Sequence, residues 1–106
     1  MTTRTRTPED LSFLGLANRA GAVERGTEAA RQAVRRGEAY LVLIARDSSE
    51  QQKQKVLKPL KAQGVPYLEI ADRAALGAAV GRGPLTAVAV TDASFAAELE
   101  RRYANK

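Results

Sequence analysis

The sequence predicts an α/β fold, a three-layer α/β/α sandwich with a small mixed sheet, and three observations carry this. Helical and strand-length apolar segments alternate along the chain. Residues 40–45, Tyr40-Leu41-Val42-Leu43-Ile44-Ala45, form an uninterrupted apolar run of strand length, as in a strand covered on both faces. With 106 residues there is room for a single domain with its own core, and too little for two of ordinary size.

Helix 1 is expected over 8–20. Thr7 offers a capping hydroxyl, Pro8 suits the first helical position, Glu9 and Asp10 favour the positive helix end, and Gly21 stops it. Leu11, Phe13, Leu14, Leu16, Ala17 and Ala20 supply a broad apolar face. A short strand is expected at 22–25. In helix 2, capped by Thr27 and stopped by Gly37, Ala29, Ala30, Ala33 and Val34 form the apolar stripe, and Glu28, Gln32 and Arg35 share the opposite, exposed one.

Helix 3 is expected to start from a cap at Asp47 or Ser48, with Glu50 or Gln51 completing a capping box, Val56, Leu57 and Leu60 inside and four lysines outside. Pro59 should kink or end it near Lys58, because proline removes a backbone donor and crowds the preceding turn. A strand follows over 67–71. Asp72 caps helix 4, which ends at Gly81. The last strand covers 85–91, and Asp92 caps a final helix carrying Phe95, Ala96, Leu99 and Tyr103. Residues 1–6 and 104–106 are expected to be disordered.

Formal net charge is +5, and all of the excess lies in the middle of the chain. Residues 19–63 hold ten Lys/Arg against five Asp/Glu, whereas the flanking segments are balanced. A solvated surface or a phosphate-binding face would both read this way. The chain has neither Cys nor His, which removes thiol catalysis, histidine triads and most zinc or iron sites. No metal site, cofactor or catalytic residue is expected. Asp72 and Asp92 follow strands, where α/β proteins often place chemistry, but both fit helix caps better. The N-terminus lacks the apolar stretch of a signal peptide and no long apolar run exists, so the expected location is cytoplasmic.

The segment most suited to a ligand begins at Gly26-Thr27. Glycine lets the backbone approach closely, and the amides opening a helix face outward toward phosphate or polar base edges.

Several separated motifs then carry a resemblance. These are Leu14-Gly15-Leu16-Ala17-Asn18-Arg19-Ala20-Gly21; Gly26-Thr27 with Arg36-Gly37; Leu41-Val42-Leu43-Ile44-Ala45 followed by Asp47; Val65-Pro66-Tyr67; Leu76-Gly77 with Ala79 and Gly81; and Val88-Ala89-Val90-Thr91-Asp92. In this order, across residues 11 to about 102, the chain resembles the ribosomal kink-turn-binding superfamily, in particular its bacterial YlxQ-like branch.

The resemblance implies the same sandwich and an RNA face formed by the start of helix 2 and the loop before the last strand. Archetypal members carry Asn, Glu and Lys there against guanines; the corresponding positions here are Glu28, Ala29 and Gln32, none of which matches. Glu28 can still accept hydrogen bonds and Gln32 can donate and accept. The expected RNA-binding residues are Gly26, Thr27, Glu28, Arg31, Gln32, Arg35, Arg36, Arg46, Arg82, Leu85 and Thr86. Leu85 could stack on a splayed nucleotide or point into the core.

The expected function is non-enzymatic recognition of a kink-turn or similar bent internal loop in structured RNA, ribosomal RNA among the candidates, by a monomer without DNA or membrane partners. Two alternatives are the RNA-recognition domain of a ribose methyltransferase, for which this chain would have to be a fragment, and a protein-interaction module using the helix 3 lysines.

Overall fold

The computed structural model describes residues 10–104. In chain order the elements are α1 (Ser12–Arg19), β1 (Val23–Arg25), α2 (Thr27–Arg35), β2 (Leu41–Ile44), α3 (Glu50–Gln63), β3 (Tyr67–Glu69), α4 (Arg73–Ala79), β4 (Ala87–Val90) and α5 (Ala93–Ala104). The sheet order is β1-β4-β2-β3. β4 runs antiparallel to both neighbours, with Leu41 opposite Val90 and Ile44 opposite Ala87, while β2 and β3 are parallel, with Val42 opposite Tyr67.

The two inner strands are buried at every position because alternate side chains serve opposite faces of the sheet. Leu41, Leu43, Val88 and Val90 join Leu14, Leu76, Val80 and Leu99 beneath α1, α4 and α5. Val42, Ile44, Ala87 and Ala89 join Ala30, Ala33, Val34, Val56, Leu57 and Leu60 beneath α2 and α3. These two cores are the interfaces of the expected sandwich. Alanines meet where α2 crosses β4, Ala30 and Ala33 against Ala87 and Ala89, so the helix can lie close to the strand.

Several boundaries differ from expectation. α1 starts at Ser12, whose N–H donates to the Asp10 carboxylate at 3.0 Å; the proposed cap at Thr7 and Pro8 lies outside the described residues. Gly26, not Thr27, caps α2, and Thr27 is its first helical residue. Ser49 caps α3, its hydroxyl accepting from the Gln52 N–H at 3.1 Å, in place of Asp47 or Ser48. The Asp47 carboxylate instead accepts from the Arg73 N–H at 2.8 Å, across the sheet end at the start of α4.

Pro59 neither ends nor divides α3, which continues to Gln63. An interior proline costs about 3 kcal/mol. Burial of Val56, Leu57 and Leu60 on either side of it offsets that cost, each large apolar side chain contributing about 1.5–3 kcal/mol. The helix stops instead at Gly64, in the left-handed region at φ 70°, with the Val65 N–H donating to the Leu60 carbonyl at 3.0 Å.

The strands are shorter than the apolar runs. Tyr40 is exposed beside β2, and Leu85 and Thr86 precede β4. β3 ends at Glu69, and at Ala71 the chain turns through a φ of 56°. Asp72 and Asp92 are the expected caps, accepting from the Ala75 N–H at 2.7 Å and the Phe95 N–H at 3.0 Å. Ala104 closes α5, and residues 1–6 with 105–106 lie outside the described chain.

Candidate nucleic-acid interface

One end of the sheet gathers the elements that the sequence singles out. β2 ends at Ile44 opposite Ala87, the first residue of β4, and the Gly26 N–H donates to the Ala87 carbonyl at 2.9 Å. The starts of α2 and α3, the start of α4 tied to Asp47, and the loop 81–86 therefore lie together. Three helix N-termini, each carrying partial positive charge, face this end.

Among them, α2 is distinct. Side-chain oxygens of Ser49, Asp72 and Asp92 cap the amides that open α3, α4 and α5, and before α1, whose N-cap Leu11 offers no side-chain acceptor, the Asp10 carboxylate accepts from the Ser12 N–H. No side chain caps α2. Gly26 holds φ 105° and ψ 162°, a region open to glycine and strained for other residues, and its carbonyl accepts the first helical bond from the Ala30 N–H at 2.9 Å. The amides of Thr27, Glu28 and Ala29 precede that first bond and are thus the helix's unspent donors.

The loop before β4 faces this terminus. Leu85 Cδ2 lies 3.9 Å from the position a Cβ on Gly26 would take. Leu85 is half-buried and packs against the α1, α4 and α5 core, so it joins the core while flanking the glycine turn. Thr86 is only 8% exposed, and its carbonyl accepts from the Ala45 N–H. Its side chain is withdrawn from the surface.

The charged candidates are less open than the sequence implies. Glu28 accepts from Arg31 Nη1 at 2.8 Å and from Gln32 Nε2 at 3.2 Å. The hydrogen bond from Gln32, then the nearby Arg31 charge, hold the Glu28 carboxyl below its ordinary value. The groups expected to read bases are thus bonded to one another. Arg31 is half-buried, with Nε enclosed and unpartnered among the described residues, and Ala29 is half-buried.

Arg35 and Arg36 lie at the far end of α2, roughly 13 Å from Gly26 at 1.5 Å per residue, with Arg36 4.0 Å from Glu38. Arg46, directly after β2, and Arg82, in the loop, are exposed at the candidate end.

Sequence reading did not assign roles to the residues that hold the loop. The Arg82 N–H donates to the Gly77 carbonyl at 2.8 Å and the Leu85 N–H to the Arg73 carbonyl at 3.0 Å. The Val80 carbonyl accepts from Asn18 Nδ2 at 3.3 Å and Arg25 Nη1 at 3.4 Å. The available signal was Gly77, an isolated glycine inside a helical pattern, which marks close packing. Among the described residues, no cluster of three carboxylates could hold a metal ion.

The chain is thus an α/β/α sandwich with an uncapped, glycine-led helix start faced by a leucine-bearing loop. Residues 11–100 match the ribosomal protein L7Ae/L30e/S12e/Gadd45 family, and the chain belongs to it. It is 40% identical over 87 residues to the RNA-binding protein YlxQ of Bacillus subtilis strain 168, covering 82% of this chain and 87% of that protein. The large ribosomal subunit protein eL8 of Thermoplasma volcanium is 34% identical over 92 residues, covering 81% and 76% of the respective chains. A protein of unknown function from Bacillus halodurans superposes with a TM-score of 0.81 at 33% identity, over 86% of this chain and 92% of that one. The 15.5 kD RNA-binding protein of Giardia lamblia gives a TM-score of 0.71 at 28% identity, over 89% and 84%.

Proposed function

We propose that this protein is a non-enzymatic, ribosomal-protein-like RNA-binding protein that recognises a kink-turn or similar bent internal loop. The observation carrying this reading is the uncapped start of α2 at Gly26, with Leu85 beside it. Unspent amides next to an apolar side chain suit a bent RNA, in which backbone or base edges meet the donors and a splayed nucleotide rests on the leucine. The names of two relatives and of one structural neighbour, as RNA-binding or ribosomal proteins, agree with it.

On this reading Arg46 and Arg82 serve phosphates at the same end, and Gly26, Thr27, Glu28 and Gln32 border the RNA. Arg31 acts by holding Glu28, while Arg35 and Arg36 reach only the flanks. Thr86 contributes through its backbone position. The protein works as a cytoplasmic monomer on structured RNA, with ribosomal RNA as one candidate class, and no helix among the described residues is long and apolar enough to cross a membrane.

The test is a binding titration against a kink-turn RNA and a straight duplex of equal length at several salt concentrations. Preference for the kink-turn is expected, with the logarithm of affinity falling linearly with the logarithm of salt. Leu85→Ala should weaken kink-turn binding more than duplex binding. Equal affinity for both RNAs would overturn the reading.

A further inference from the structure

The outer face of α3 carries cations that no acid among the described residues neutralises. From Gln51 to Gln63 the helix contains no carboxylate, and Gln51, Gln54, Lys55, Lys58 and Lys61 are exposed. Lys53 is the exception among its lysines, turned to the sheet edge and paired with Glu69 at 3.2 Å. Several other cations are paired, Arg31 with Glu28, Arg73 with Asp47, and Arg101 and Arg102 with Glu98. Among the described residues no such ion pair involves Lys55, Lys58 or Lys61. Solvated helices usually interleave signs, because like charges three or four residues apart repel. Here Lys55, Lys58 and Lys61 stand at successive i, i+3 positions.

The start of this helix lies beside the α2 terminus, and Lys55, Lys58 and Lys61 follow at roughly 9, 14 and 18 Å along it. α2 and α3 pack on one side of the sheet with both N-termini at the candidate end, and packed helices lie roughly 8–10 Å apart. α3 has 14 residues, a length of roughly 21 Å. Glu50, its single acid, sits in the first turn, and an open groove of about 600 Å³ runs along Glu50, Gln51, Gln54, Lys55 and Lys58.

We propose that Lys55, Lys58 and Lys61, with Gln51 and Gln54, form a second RNA surface that grips the phosphate backbone of a duplex stem flanking the bent loop. The inference rests on the RNA-binding reading above. Flexible ammonium groups and amides in a row complement a polyanion without selecting bases, so this surface adds affinity and orientation while the α2 end supplies the preference for bent RNA.

The experiment compares the protein with a Lys55→Gln, Lys58→Gln, Lys61→Gln variant on two RNAs, a kink-turn with long flanking stems and a straight duplex. Circular dichroism and thermal unfolding confirm that both proteins are folded. The variant should bind both RNAs more weakly at low salt. Its loss of affinity between 50 and 200 mM salt should shrink roughly 20- to 40-fold if each lysine neutralises one phosphate, with its preference for the kink-turn intact. A folded variant with unchanged affinity and salt dependence would overturn the inference and leave the α2 reading standing, as would one that loses only an acidic protein partner. If the wild type binds the two RNAs equally and the variant binds both more weakly, the α3 surface stands and the α2 reading fails. No binding of either RNA by wild type would overturn both.

Discussion

Gly77, inside α4, has the backbone of Gly83 lying directly over it. A Cβ on Gly77 would come within 2.6 Å of the Gly83 carbonyl carbon and 3.1 Å of the Arg82 carbonyl oxygen, whereas a Cβ on Gly83 would meet nothing within 4 Å. The contact is thus one-sided: it requires glycine in the helix and not in the loop. It lays the loop on α4 and so presents Leu85 to Gly26.

Gly77→Ala should therefore move the loop even though alanine is the better helix former by about 1 kcal/mol. Overpacking against backbone costs about 1–3 kcal/mol, so thermal unfolding should shift downward, and kink-turn binding should weaken further than stability alone accounts for. Gly83→Ala should leave both unchanged. Equal behaviour of the two variants in a melt and a binding titration would show that the loop is not set by this contact.

Asp47→Ala should loosen the same end from another direction. The Asp47 carboxylate accepts from the Arg73 N–H, and a lost capping acceptor costs about 1 kcal/mol. Asp47→Asn, which keeps an acceptor oxygen, should recover part of it. Denaturant unfolding of the pair reads the difference.

The α2 start is open to gain of function. Glu28→Asn with Ala29→Glu and Gln32→Lys removes a carboxylate that would repel phosphate, adds an acceptor and adds a cationic donor. One well-formed base contact is worth about 1–3 kcal/mol, so kink-turn affinity should rise roughly tenfold. Ala29 is half-buried and Glu28 holds Arg31 and Gln32, so unfolding is measured alongside. A folded triple variant that binds no better would place base recognition elsewhere.

Acid should act through depressed carboxyls. Asp10, Glu28 and Glu98 are each held below their ordinary values, chiefly by hydrogen bonds from Ser12, Gln32 and Arg101 respectively. A depressed carboxyl stabilises the fold above its unfolded value, and that contribution is lost as pH falls through the folded one. Stability from these groups should be level from neutral to about pH 5 and decline below about pH 4. Glu28→Gln and Glu98→Gln should each flatten the acid limb of a pH series of melts.

Much of the sandwich was legible without coordinates. The apolar run before Arg46 names an inner strand because only a strand covered on both faces leaves no polar position, and Asp72 and Asp92 announce helix starts because a carboxylate meets amides two or three residues on. Periodicity and capping act between near neighbours, so they are written locally. Gly26 belongs to this class, since the turn opening α2 needs its φ.

Tertiary packing decided the rest. Pro59 stays helical because Val56, Leu57 and Leu60 are buried under the sheet, a gain that no local rule contains. Asp47 does not cap α3 because parallel pairing of β2 and β3 brings the start of α4 within its reach. Leu85 and Thr86 are adjacent in sequence, yet one flanks Gly26 while the other is buried, according to how loop 81–86 lies across Gly77. The sequence by itself determined which segments are helix or strand and where a glycine must open α2. Which donors stay unspent, which cations stay unpaired and which loop faces the open helix depended on contacts between residues distant in the chain, and such contacts exist only once the layers have closed.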